Sequence, residues 1–534
     1  MTYFRKLLTF IVAVTGIVVT FRTFAGPFTL VIPVNSPLNA ESFFGISVTL
    51  LMLTRVGFSR SRGASGAHWP AVAAAVALVG GICVTMLARS ESVAFLSDDF
   101  ILTQLASQWT TENLRVLFTT GGGDGFYRPV GAVSLLIDAR WASFDPVLWH
   151  RSALALHTVN AVLVTLLAAR LDASLWSAVF AGVLFAIHGT RPEAAVWIAG
   201  RFDLLATLFA LGAILLFIEG CERGGRSRYF AHGTALILLI LAVMSKESAY
   251  IAPLLMALYV ASRLPKQGCG IRSLIPFFLA AGLVFAYRWS LFSGIGGYVV
   301  SETGRPQAFS LGLLTTLKAV ALRLWAILYF PINWSVDPTP ALGFLCVLYM
   351  TLLLWLAVQT RPTRQLLLPL SFLLVAIIPA LPLLLIGTSL GNSRVLYLPS
   401  VGFCIFLALA VDGLTGRARY LIPTVIAAFH AGVLHHNLNV WDYASAKVQS
   451  ACSAAADAAR SSKTLAVLGL PGEIRGVPAF SNGFRECVEL RAGHPVAIER
   501  IGKTGGAPIA KNAVRLEWDK ANDRLVRLNQ SVGE

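Results

Sequence analysis

Apolar runs of about 15–22 residues recur from Leu7 to roughly Leu438, each bounded by Arg, Lys, Gly or Pro. Inside a bilayer the backbone N–H and C=O groups find no water, so a crossing segment must satisfy them internally. A helix of about 20 apolar residues does so. Repetition on this scale excludes a single buried core helix. The chain is 56% hydrophobic and 13% charged, whereas a soluble domain carries roughly 25% charged residues. The expected fold is an all-α polytopic membrane protein, a bundle of about 11–14 transmembrane helices with a small C-terminal α+β soluble domain.

The net charge of +16 would suit nucleic acid if the cations formed a continuous patch. They gather instead in short loops between apolar segments, the positive-inside pattern, so no nucleic-acid partner is expected. Spans are expected near 6–21, 42–56, 69–88, 150–169, 174–189, 201–218, 233–247, 249–262, 273–291, 341–358, 366–388, 397–413 and 420–437. With that number, Arg5-Lys6, Arg55/Arg60/Arg62, Arg170, Arg223/Arg226/Arg228, Arg263/Lys266/Arg272, Arg361/Arg364 and Arg417/Arg419 all fall on the inner side. Residues 311–330 are apolar but contain Lys318 and Arg323, and a further span there would invert every later loop. They are read as an interfacial or re-entrant helix.

Three regions follow: two N-terminal helices in 1–68, a catalytic membrane region in 69–440 with a large outer loop at 89–149, and a soluble outer domain in 441–534. An Ala-rich stretch, 441–462, opens that domain, and 514–528 reads as a hairpin around Asn522-Asp523. Of seven cysteines, Cys83, Cys221, Cys269, Cys346 and Cys404 read as small packing residues. Cys452 and Cys487 could pair in an oxidising compartment. Arg5-Lys6 and the run after it read as a retained first helix rather than a cleaved signal.

Ionisable residues at membrane depth are costly and tend to mark function. Asp98-Asp99 could supply a general base or a divalent-cation ligand; the plainer reading is a helix N-cap. Asp124 and Tyr127-Arg128 follow three glycines, and an arginine there could grip a phosphate bidentately; an ordinary loop is the alternative. His188, Glu193, Arg201 and Asp203 surround one outer turn, where Arg201 and Asp203 could simply pair. Lys246-Glu247 could cap a tight helical hairpin or point into a cavity. Arg394 and Tyr397 precede another span, where the arginine suits a lipid phosphate or merely anchors a helix.

In order, the acidic pair, YRPV, HRSALALHTVNAVLV, HGTRPEAAVWIAGRFDLLATLFAL, MSKES and NSRVLYLPSVGFCIFLA resemble the GT-C membrane glycosyltransferases. They resemble in particular the transmembrane O-mannosyltransferases that carry tetratricopeptide repeats, with their bacterial relatives, over about 95–415. Two positions depart: HG stands at 188–189 for His-Pro, and GRFD at 200–203 for GRAD. The tail shows no 34-residue repeat, which puts a protein acceptor in question.

The resemblance implies a GT-C fold and a transferase that uses a polyprenyl-phosphate (dolichyl-type) sugar on the outer face. Asp98 or Asp99 would be the base. Tyr127, Arg128, His188, Glu193, Arg201, Asp203, Lys246, Glu247, Arg394 and Tyr397 would hold donor phosphate or sugar. A divalent cation (Mg or Mn) on the Asp pair is an open option. Expected partners are membrane lipid, the polyprenyl-phosphate sugar donor and a protein, glycan or lipid acceptor. The expected location is a bacterial inner membrane with site and C-terminus periplasmic, or the endoplasmic reticulum. A secondary transporter or flippase would show inverted repeats, and a non-catalytic scaffold would tolerate loss of the aspartates.

Overall fold

A computed structural model describes residues 2–25, 28–29, 33–34, 37–53, 69–110, 113–120, 125–263, 269–297, 312–360, 364–462, 464–501 and 513–528. Asp124, Arg55, Arg60, Arg62, Lys266 and Arg361 lie outside them. A helix occupies every expected span, from Thr2–Ala25 to Ala418–Ala459. Among the described residues, six helices are long and apolar enough to cross a membrane, including Pro146–Arg170, Ile198–Glu222 and Pro340–Gln359; four others, including Leu175–Ile187, are apolar but shorter. Leu175–Ile187 rises only about 20 Å, yet every residue from Ser177 to Ile187 is buried. Protein rather than lipid surrounds it, which is where short and broken helices are tolerated. The outward faces are apolar too, with Phe10, Leu279, Leu283 and Phe344 exposed.

Helix starts follow from local chemistry. Asp145 accepts the Val147 N–H at 3.0 Å, and Pro146 fills the first helical position, where no N–H is needed. Ser174 and Thr339 cap their helices in the same way. The loop 89–149 carries helices Asp98–Gln108, Leu114–Thr119 and Pro129–Ala142. Residues 188–200 form a turn, a π-helix at Pro192–Val196 and a 3-10 turn at Ile198–Gly200, all of it buried.

The N-terminal helix Pro37–Leu53 packs against Trp325–Tyr329, within the segment read as interfacial or re-entrant. Gly45 permits this: a Cβ there would stand 2.6 Å from Tyr329 Cδ2. Tyr329 Oη meets Thr49 Oγ1 at 2.9 Å, and Ala326 N donates to Ser42 Oγ at 3.2 Å. Upstream, Leu313, Leu314 and Leu317 are exposed, while Ala326–Tyr329 are buried.

The last apolar span and the Ala-rich stretch are one helix, Ala418–Ala459, about 60 Å long. It delivers the chain to a four-stranded sheet in the order Ala497–Ile501, Thr464–Leu468, Val514–Asp519, Arg524–Arg527. The first three run parallel, and the last closes an antiparallel hairpin with Asp519 opposite Arg524. Helix Phe484–Ala492 packs against the long helix, and a disulfide joins its Cys487 to Cys452 there. Contrary to the packing role expected for them, Cys221 and Cys269 also come together, with Cα atoms 5.0 Å apart.

Candidate active site

The two aspartates have different environments. Asp99 is buried: Leu96 N donates to its Oδ2 (3.1 Å) and Ala199 N to its Oδ1 (3.2 Å). It therefore clamps the start of its own helix to the turn before Arg201. Burial pushes its carboxyl well above the usual carboxylate range, against those two N–H donors. Asp98 is partly exposed, and Asn482 Nδ2 donates to its Oδ1 at 2.7 Å. Asn482 belongs to the C-terminal domain. The next residue, Gly483 (φ 73°), brings that domain against Ser97, whose carbonyl oxygen would lie 2.0 Å from a Cβ at 483.

Cations and acids form three pairs: Arg201–Asp138 is buried, Lys246–Asp203 nearly so, and Arg128–Glu247 partly exposed. Arg128 Nη2 and Nε donate to Glu247 Oε2 (2.7 and 3.1 Å), and Arg288 reaches Glu247 Oε1 at 3.3 Å. Lys246 Nζ donates to Asp203 Oδ2 at 2.6 Å. Arg201 pairs with Asp138 rather than with Asp203, and it also binds Ser152. The physical reason is helical: residues two apart leave the axis in different directions, so Arg201 and Asp203 cannot face each other. Lys246 and Glu247 likewise diverge to separate partners. Arg128 lies 5.3 Å over the ring of Phe202, next to Asp203, so the Arg128 and Lys246 pairs share one region.

Glu193 organises the turn before the helix Pro399–Asp412. Its carboxylate accepts N–H bonds from Asn392 and Arg394 and the Ser393 hydroxyl, each at 3.0 Å. The Arg394 guanidinium stays loosely held, with Nε 3.9 Å from Glu193 and its centre 4.2 Å over the Trp197 ring. Beside this turn lies a small cleft, partly open to solvent, lined by Glu193, Ser393, Ser389, Asn333, Asn437, Trp441 and, from the C-terminal domain, Gly476.

The remaining candidates sit within the packing. His188 hydrogen-bonds Thr190 Oγ1 and the Leu328 carbonyl (both 2.9 Å) and stacks on His430. Tyr397 Oη meets His157 Nδ1 at 2.6 Å and Asn160 Nδ2 at 3.2 Å, fully buried. Tyr127 Oη donates to the Phe118 carbonyl at 3.2 Å, pinning the short helix Leu114–Thr119. Sequence reasoning missed Asn482, Asp138 and Arg191. Arg191 is buried, donating to the Phe185 carbonyl (2.6 Å) and Ser400 Oγ (2.7 Å). A cation within an otherwise apolar motif was the available signal for it; nothing local announces Asn482.

Fold and site together define a polytopic helical membrane protein whose polar residues collect under a small mixed-sheet domain. No protein-family profile matches the chain. It is 24% identical to the protein O-mannosyl-transferase TMTC4 of Homo sapiens over 436 residues, 67% of this chain and 58% of that protein. It is 33% identical to the protein O-mannosyl-transferase Tmtc2 of Drosophila melanogaster over 149 residues, 27% of this chain and 16% of that protein. The chain is a distant homologue of the TMTC O-mannosyltransferases, and it spans a little over half the length of TMTC4. Among solved structures, the Archaeoglobus fulgidus oligosaccharyltransferase AglB, in complex with an inhibitory peptide and a dolichol-phosphate, superposes with a TM-score of 0.45. That match has 13% identity over 80% of this chain and 64% of AglB. ArnT from Cupriavidus metallidurans, bound to undecaprenyl phosphate, gives 0.40 at 12% identity, over 82% and 87%.

Proposed function

We propose that this chain is a GT-C glycosyltransferase that moves a monosaccharide, mannose by analogy, from a polyprenyl-phosphate donor to a hydroxyl acceptor, with Asp98 as general base. The observation that carries the reading is the match to the protein O-mannosyl-transferases over 67% of the chain. The choice of base follows from geometry: Asp99 is buried with both oxygens engaged by backbone amides, while Asp98 is partly exposed.

In the reaction the Asp98 carboxylate takes the proton of the acceptor hydroxyl. The acceptor oxygen attacks the anomeric carbon, the bond from that carbon to the phosphate oxygen breaks with inversion, and polyprenyl phosphate leaves with the electron pair. Arg394 is the best-suited cation for the leaving phosphate, because it is partly exposed and its link to Glu193 is long. Arg128 and Arg288 share the single carboxylate of Glu247, so that group keeps a net positive charge. Asp99 is buried with its oxygens turned to the Leu96 and Ala199 N–H groups, so the pair does not present two open carboxylates to a shared divalent ion. No step is routed through a metal.

On the positive-inside reading of the basic loops, this site and the C-terminal domain would face the outer side, which in a bacterial inner membrane is the periplasm. The acceptor is a protein hydroxyl, an envelope glycan or a lipid. The deciding experiment supplies purified, reconstituted protein with radiolabelled polyprenyl-phosphate hexoses and a crude envelope fraction. Transfer of label off the lipid, lost in Asp98→Asn, supports the reading; folded protein that moves no label from any donor counts against it.

A further inference from the structure

At the far end of the helix Arg201–Glu222 from Asp203, 18 residues along (221 − 203) and so about 27 Å away, three metal-ligating side chains converge. Cys221 closes that helix, His232 lies on the neighbouring helix Gly225–Val243, and Cys269 precedes the turn Ile271–Leu274. One ligand atom from each lies within 4.8 Å of the others, and no fourth His, Cys, Asp or Glu joins them among the described residues. We propose that Cys221, His232 and Cys269 form a binding site for a thiophilic divalent cation of the Zn²⁺ kind, filled when the two cysteines are reduced.

Three observations carry the assignment. His232 Nε2 stands 3.8 Å from Cys269 Sγ, close to the ~3.5 Å edge expected between nitrogen and sulfur ligands of tetrahedral zinc. The imidazole is held there: it stacks on Phe217 at 5.2 Å and 15°, over Gly220, where a Cβ would lie 2.2 Å from His232 Cδ2. A disulfide alone needs neither the imidazole nor the room made for it. Arg228 Nη2 lies 3.7 Å from Cys269 Sγ and 3.0 Å from Ser273 Oγ, which places a cation where it favours the thiolate. Both cysteines are buried while His232 is half-buried, so the histidine is the most exposed of the three ligands.

In the structure the two cysteines are joined to each other, and that bond excludes a metal. Reduction by a dithiol adds two electrons and two protons and gives two thiols. The cation then displaces both protons, leaving two thiolates and a neutral imidazole around it. Cys221 ends its helix beside Arg223, His232 lies two turns into the next helix, and Cys269 stands just before Arg272; these basic loops mark the face expected to be cytoplasmic, where thiols stay reduced. The site is independent of the glycosyltransferase reading.

The full-length protein in detergent, reduced with a phosphine and freed of metal, is titrated with Co²⁺ while the thiolate-to-cobalt absorption band is followed; Zn²⁺ is then added. One equivalent of Co²⁺ per chain with that band, displaced by Zn²⁺, is expected. Cys221→Ser, Cys269→Ser and His232→Ala should each weaken binding by more than roughly 100-fold, beyond the usual cost of losing an outer-shell partner. Cys83→Ser, which changes a buried thiol elsewhere, should leave binding intact. The wild-type band needs no variant, so a misfolded mutant does not blur the outcome. No thiolate band in the reduced wild type, or a band unchanged by Cys269→Ser, overturns the proposal. So does finding Cys221 and Cys269 already bonded to each other in cells quenched with an alkylating agent.

Discussion

Two adjacent aspartates with the same side chain are set apart by what reaches them. Asp99 serves two backbone N–H groups in a buried corner, while Asp98 is exposed enough to take an amide from another domain. Asp99→Asn puts an NH₂ where an acceptor is needed and should cost about 1–3 kcal/mol, the penalty of one unsatisfied buried donor. Asp98→Asn should leave the thermal midpoint in detergent unchanged and reduce sugar transfer to background. Measuring both quantities for both variants separates a structural from a catalytic carboxylate; the reverse pattern would move the base to Asp99.

Elements hold their charges as couples across helix boundaries. Lys246 and Asp203 form a buried pair with side-chain exposures of 15% and 6%. Removing one partner should therefore hurt more than removing both. Lys246→Met should cost about 3–5 kcal/mol by leaving Asp203 buried and uncompensated, and Lys246→Met with Asp203→Leu should recover most of it, read as detergent thermal midpoints. In the C-terminal hairpin, the Asn522 side-chain amide holds the Asp519 carboxyl below the usual carboxylate range, helped by Ala521 N–H and Arg524. A lowered folded-state value means stability that is present above the unfolded value of ~4 and lost as pH falls through the folded one. Hydrogen-exchange protection of Val514–Asp519 and Arg524–Arg527 should thus fall in acid, and Asp519→Asn should flatten that dependence.

At the scale of the molecule, one long helix and one disulfide set the C-terminal domain over the candidate site. Cys452 and Cys487 are 35 residues apart in sequence, a loop whose closure is worth about 4 kcal/mol in the chain-entropy description. Replacing both with serine should loosen the domain and weaken the Asn482–Asp98 contact. The expected outcome is faster proteolytic cleavage after Ala459 and lower transfer activity, with the membrane helices still folded. An unchanged cleavage rate would show that packing against Ser97 and Phe100 suffices to hold the domain.

Hydropathy alone determined the class: repeated apolar runs leave a helical membrane bundle as the only economical way to satisfy the backbone. The hairpin at 514–528 was equally legible, because strand alternation and a turn are local signals. So was the placing of Arg128, Glu193, Lys246 and Arg394 near helix ends, since charge inside lipid is costly wherever it occurs. Pairing was not legible. Arg201 meets Asp138, 63 residues earlier (201 − 138), and Asp98 meets Asn482, 384 residues later. Contacts of that separation depend on how helices pack, and nothing in the residues between them encodes it. Sequence placed His188 and Tyr397 beside the outer turns; the tertiary structure turned both inward to hydrogen-bond neighbouring helices. The spans fixed what kind of molecule this is, and only their packing decided which aspartate is buried and which stays partly exposed.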